Sequence, residues 1–353
     1  MDLNNLILTF FLIGFNLFFY KYFLPILHNY NSKILMDNQF NKPQAFHEFP
    51  VSISGGLIIF FSSLTVILDF WLFKDSIFFE YLSICTIFFA IGFADDIRIN
   101  IMPIVRLIIM ILFLIFSITY NNFYIEKTGI EFLNEWLDNS KIFSLFFVSL
   151  CFLFIINGSN LIDGYNGLLG FHSLIILINL FLINYLNGIN YLADFIFYGI
   201  LTLIIFLIYN FPKAKVFLGD GGAYFLGAFI AISVIKTSSL NPLISPFYFC
   251  ILLFYLFFEV FFSFFRKLIK EKKSPIYPDQ KHLHMLIYNL LLKKNNNKLK
   301  SNYCVATIIN SAYLILLAPA ILMMNNGLFC KYYSILLFVV YIFSYKVANA
   351  KLK

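Results

Sequence analysis

Stretches of roughly 20 apolar residues recur along the chain, separated by short polar runs. Eleven such blocks can be marked, at roughly 4–27, 52–73, 76–94, 101–120, 142–160, 167–187, 194–211, 222–239, 242–265, 303–324 and 327–346. A helix of about 20 apolar residues crosses the hydrocarbon core of a bilayer, and it satisfies its own backbone polar groups while doing so. The pattern therefore predicts an all-α polytopic membrane protein: residues 1–353 as a single integral membrane domain with about 11 transmembrane helices. The first block lacks a basic start, is longer than a secretory h-region and is followed by no small-residue cleavage site. It is expected to stay as a helix.

Composition agrees with that solvent. Hydrophobic residues make up 61% and charged residues only 12%, against about 45–50% and about 25% in an ordinary soluble domain. Too few charges are present to cover a water-facing surface, and disordered or collagen-like chains are excluded as well. Five scattered cysteines form no CxxC pair, so neither a disulfide framework nor a zinc site is expected.

The net charge is +7, and its placement matters more than its sign. Counting Lys and Arg by face, with Lys21 and Arg106 set aside as lying within spans, places 18 on one face and 5 on the other, ten of the 18 lying between Arg266 and Lys300. Positive residues accumulate on the cytoplasmic side, which predicts the N-terminus outside and the C-terminus cytoplasmic. Loops near 28–51, 94–101, 157–167, 211–222 and 266–302 then share the cytoplasmic face. The longest external loop, about 121–141, carries Glu126, Glu131, Glu135 and Asp138 with Trp136 and reads as an acidic interfacial segment. Basic charge of this kind points to lipid headgroups rather than nucleic acid.

The side chains able to do chemistry fall in the cytoplasmic loops. Asp95 and Asp96 end the third block, with Arg98 just beyond and Arg106 inside the next. Carboxylates there are either hydrated at a helix end or bound to a cation, and a buried guanidinium asks for an anion such as phosphate. Asn157, Asn160 and Asp163 repeat at three-residue spacing and so share one helix face, followed by Gly164, Asn166 and Gly167. A polar turn would explain that composition but not that spacing. Gly219-Asp220-Gly221-Gly222 reads as a helix start whose amides face an anion, or as a plain capped turn. His282 and His284 stand in the most basic loop, in Pro275–Met285. Lys42–Pro50 with Gly55 and Gly56 is a weaker segment, its glycines explained by helix packing. Glu259, inside the ninth block, is expected to pair with Arg266 or Lys267.

Taken together, Asp95-Asp96, the run Asn157 to Leu168, the run Phe217 to Gly222, and His282 with His284 resemble four motifs of the polyprenyl-phosphate N-acetylhexosamine-1-phosphate transferases, in that family's order. The superfamily includes undecaprenyl-phosphate GlcNAc-1-phosphate transferases and phospho-N-acetylmuramoyl-pentapeptide transferase. The resemblance implies transfer of a sugar 1-phosphate from a UDP-sugar to undecaprenyl or another polyprenyl phosphate, with release of UMP. By the same analogy Asp220 and Asn160 would hold Mg2+ (or Mn2+), and Asp95 or Asp96 would orient or deprotonate the lipid phosphate. Asn157, Asp163, Gly164, Asn166, His282 and His284 would line the nucleotide-sugar pocket, and Arg98 or Arg106 would meet the lipid phosphate. Met285 stands where many members have a further His, which disfavours the muramoyl-pentapeptide branch and points to initiation of a surface glycan such as the lipopolysaccharide O-antigen. The implied setting is the bacterial inner membrane, with membrane lipid and a homodimeric copy as compatible partners. A secondary transporter is the competing class; its polar residues would lie near mid-membrane at repeat interfaces, whereas here they fall at block ends.

Overall fold

The computed structural model describes residues 3–29, 35–37, 50–74, 78–99, 101–272, 274 and 279–352. The weaker segment around His47 and Glu48, and Pro275–Pro278 ahead of the histidine pair, lie outside them.

Among the described residues the fold is helical apart from one short antiparallel strand pair. In chain order, α1 (Leu3–Phe18) runs through a π-helical turn (Phe19–Phe23) into α2 (Leu24–Asn29). Strands β1 (Met36–Asp37) and β2 (Val51–Ser52) pair antiparallel. There follow α3 (Gly55–Phe73), α4 (Phe79–Asp96), α5 (Pro103–Asn121), the short α6 (Glu131–Asn139), α7 (Lys141–Ile162), α8 (Leu168–Leu186) and α9 (Asn190–Asn210). The chain closes with α10 (Gly219–Leu240), α11 (Pro246–Leu252), α12 (Phe254–Phe265), α13 (Leu283–Asn295), α14 (Lys298–Leu322) and α15 (Gly327–Leu352).

Among the described residues nine helices are long and apolar enough to cross a membrane, or ten if the bent pair at α11 and α12 is one span. The count of eleven is not reached, for two physical reasons. Helix α4 carries Glu80, Asp95 and Asp96 within its 18 residues, which dilutes its apolar character. The block at 242–265 is broken, its two helices meeting at 74°. At the break the Tyr313 hydroxyl donates to the Leu252 carbonyl at 2.6 Å. A side chain inserted into the backbone ladder is one of the few things that bends a helix sharply.

Helix α10 is the axis of the bundle. Residues Gly221 to Val234 are buried without interruption, and α3, α4, α7 and α8 surround it. Small residues permit this crowding. A Cβ at Gly92 would collide with the backbone of Asp220 and Gly221, and one at Gly56 would strike the Gly222 backbone. Close backbone approach through glycine is how membrane helices gain contact where no hydrophobic effect drives them together. The starts of α3 and α10 are also laced by main-chain bonds: Phe217 N–H donates to Ser52, Gly55 N–H to Phe217 and Gly56 N–H to Leu218, at 2.7–3.0 Å.

Candidate active site

The end of α4, the end of α7 and the start of α10 meet at one point. Asp96, the last residue of α4, reaches the first turn of α10: its Oδ1 accepts from the Asp220 N–H at 2.8 Å and its Oδ2 from the Gly221 N–H at 2.9 Å. It thus caps α10 from another helix, doing the work of an N-cap side chain. Gly219, at φ +79°, makes the left-handed turn that admits this carboxylate. The sequence reading gave these amides to an anionic ligand; the structure gives two of them to Asp96.

Asn160, on the last turn of α7, donates from Nδ2 to Asp220 Oδ1 at 2.8 Å. Asp163 caps the same helix end and lies close enough to Asp220 and Asp96 to feel both charges. Asp95 is ion-paired with Arg106, whose guanidinium stands 5.8 Å from the Tyr224 ring centroid. Asp96, Asp163 and Asp220 therefore gather beside the Asp95–Arg106 pair, and the guanidinium also feels the Asp220 charge. The electrostatic consequence is direct. Burial, and then the charges of Asp220 and Asp96, hold the Asp163 carboxyl well above the usual range. Burial and Asp220 push Asp96 up to about 7, against the pull of its two backbone hydrogen bonds. Carboxylates that resist ionisation because of one another mark a place where a cation is favoured.

The donor set suits a hard divalent ion. Carboxylate and amide oxygens are ligands for Mg2+ or Mn2+ rather than zinc. Among the described residues no three His, Cys, Asp or Glu side chains form a complete metal cage. Mg2+ is commonly held by one or two carboxylates together with substrate phosphates, so Asp220 with Asn160 fits that role when phosphates supply the remaining ligands.

Other sequence-predicted residues are placed differently. Arg98, at φ +65°, donates to the Met36 carbonyl of β1 at 3.2 Å rather than joining Arg106. Asn157 donates back to the Leu153 carbonyl of its own helix. Asn166 faces inward: its side chain donates to the Pro212 carbonyl, and its N–H is accepted by Asn302. It stitches the α7–α8 turn to the α9–α10 turn and to α14. Gly164 looks onto open space, since a Cβ there would meet nothing within 4 Å.

The histidines form a second polar cluster, built around Glu259 on α12. Glu259 Oε2 lies 3.1 Å from His282 Nδ1. Its Oε1 accepts the Leu283 N–H at 3.2 Å and stands 3.8 Å from His284 Nδ1. The expected pairing of Glu259 with Arg266 is thus replaced: Arg266 bonds Asp279 at 2.7 Å and Glu271 at 2.9 Å. Burial pushes His284 down to about 4, so at neutral pH it is an uncharged ring. Tyr165, two residues beyond Asp163, joins the clusters, its ring 5.7 Å from that of His284 and 5.4 Å from that of Tyr288.

Residues that the motif reading passed over include Tyr165, Tyr224, Asn210 and Asn302. Asn210 accepts the Gly167 N–H at 2.7 Å and donates to the Val216 carbonyl, so it fixes both glycine-bearing turns. A buried Asn at the end of an apolar helix is costly unless it is bonded, and that signal was available in the sequence.

Residues 78–238 match the model of glycosyl transferase family 4, a stretch that contains Asp95, Asp96, Asn160, Asp163 and Asp220. The undecaprenyl-phosphate alpha-N-acetylglucosaminyl 1-phosphate transferase of Thermotoga maritima is 34% identical over 142 residues, covering 39% of this chain and 40% of that relative. The match thus spans about two fifths of the relative's length. Over less than half of its length, then, the chain is similar to glycosyl transferase family 4 and to this transferase.

Proposed function

We propose that the protein transfers an N-acetylhexosamine 1-phosphate from a UDP-sugar to polyprenyl phosphate, releasing UMP. The observation that carries the reading is the convergence of Asp96, Asn160, Asp163 and Asp220 at the start of α10, inside the segment that matches the family. The T. maritima relative's name supplies the acceptor, undecaprenyl phosphate, and the sugar, N-acetylglucosamine.

In this reading an oxygen of the lipid phosphate attacks the phosphorus that bears the sugar. The bond from that phosphorus to the bridging oxygen breaks, and the oxygen leaves with UMP. Such transfer asks chiefly for positioning and charge stabilisation. Asp220 and Asn160 would hold Mg2+, which when bound offsets charge on the diphosphate oxygens. Asp96 fixes the turn that carries Asp220. Asp95 and Arg106, already paired, present a base and a cation to the incoming lipid phosphate. Gly164 leaves room for close approach of the nucleotide. The excess of Lys and Arg around 266–300 supports a cytoplasmic active face in a bacterial inner membrane, with a surface glycan such as O-antigen as the product's destination.

The test is to incubate purified protein with a panel of UDP-sugars, undecaprenyl phosphate and Mg2+, then identify the lipid product by mass. UMP release coupled to a lipid-linked sugar diphosphate is expected. Asp220→Asn should lower turnover about a hundredfold or more without loss of membrane insertion. Folded protein that forms no lipid product from any UDP-sugar would overturn the reading.

A further inference from the structure

His282 is held between two carboxylates. Its Nδ1 lies 3.1 Å from Glu259 Oε2 and its Nε2 lies 3.2 Å from Asp279 Oδ1, with the ring 4% exposed and Glu259 1% exposed. An ionised carboxylate only accepts hydrogen bonds, and a neutral imidazole offers a single N–H. The Nδ1 contact is a hydrogen bond and the Nε2 contact an ion-pair approach, and the two are favourable together only when both ring nitrogens carry protons. The same Glu259 carboxylate uses its other oxygen on the Leu283 N–H, the first residue of α13. One buried side chain on α12 therefore sets both the ring of His282 and the start of the helix that carries His284.

We propose that Glu259 is a positioning residue: with Asp279 it brackets His282 as a doubly protonated pivot held between two carboxylates, so that His282 anchors the histidine loop and is not itself a ligand of the donor diphosphate. Asp279 is shared with Arg266 at 2.7 Å and Lys267 at 3.8 Å, while Glu271 balances Arg266 and Lys281 at 2.9 Å each. Tyr341 on α15 faces Glu259. The His284 ring lies parallel to that of His282, 3° apart in plane at 5.4 Å, with Tyr255 Oη 3.4 Å from its Nδ1. Its Nε2 is buried without a hydrogen-bond partner, which separates the two histidines: both nitrogens of His282 face carboxylates, and His284 has a nitrogen to spare.

The assignment of protonation does not depend on the transferase reading; the link to turnover rests on it. The experiment is nitrogen NMR of histidine-labelled protein at pH 7.5, with His282→Gln supplying the assignment. Both nitrogens of His282 should carry protons in the unaltered chain, and one should lose its proton in Glu259→Gln. Asp279→Asn, altered outside the helices, should have the same effect and serves if Glu259→Gln does not fold. A second arm measures UMP release. Glu259→Gln and His282→Gln should each cut kcat about tenfold or more with less than about a twofold change in KM for the UDP-sugar, and the double variant should be no worse than the poorer single, because the residues act as one unit. An unprotonated His282 nitrogen in the unaltered chain overturns the bracket. Additive losses, or a rise in KM confined to His282→Gln, overturn the positioning role. Absence of turnover in the unaltered protein would count against the transferase reading and leave the NMR result standing.

Discussion

At the scale of single residues, the site is defined by buried carboxylates whose charges work against one another. Asp96 and Asp163 bind protons more tightly in the folded protein than in the unfolded chain, because burial and neighbouring carboxylates raise both. For an acid raised in this way, stability is present at low pH and is lost as pH climbs from the unfolded value, about 4, through the folded one, about 7 for Asp96. Metal-free protein should therefore melt at a higher temperature at pH 5 than at pH 8, and Mg2+ with UDP should restore part of the loss at pH 8. Thermal scans in detergent measure this; a higher melting temperature at pH 8 without metal would contradict it. In Asp163→Asn the difference between the two pH values should shrink. The acidic residues of this site were legible in the sequence, since carboxylates at the ends of apolar helices need a reason to be there. What each one does was less legible. The Asp96 contacts span 124 residues of chain, and no local spacing reveals that a carboxylate from α4 occupies the amides of α10.

At the scale of elements, glycines decide how near α4 and α10 lie. Gly92→Ala should push the first turn of α10 away from Asp96 and lower turnover about tenfold or more, since a small misplacement at the reacting centre is expensive. Gly164→Ala should leave the melting temperature unchanged, because nothing lies within 4 Å of the added carbon. It should raise KM for the UDP-sugar if the nucleotide approaches there; an unchanged KM would remove Gly164 from the pocket. The membrane-length helices were readable from hydropathy, α10 among them, whereas α6 and α13 lie in stretches that read as loops. The bend of 74° between α11 and α12 was not. Its hydrogen bond comes from Tyr313, 61 residues downstream, and neither proline nor glycine marks the break.

At the scale of the whole molecule, the polar residues of three helix ends meet at one point, on the side that the proposed topology turns to the cytoplasm. In a chain freed of its native cysteines, Asn325→Cys should react with an impermeant thiol reagent from outside and Lys294→Cys only after lysis; both positions are exposed. The reverse pattern would invert the topology. The central claim is that Asp220 and Asn160 hold a divalent ion against the phosphates of a sugar nucleotide. Electron-nuclear double resonance on purified protein loaded with Mn2+ and a UDP-sugar tests it most directly. The account predicts phosphorus coupling to the bound Mn2+ in the unaltered chain and its loss in Asp220→Asn; phosphorus coupling of equal strength in both proteins would contradict it.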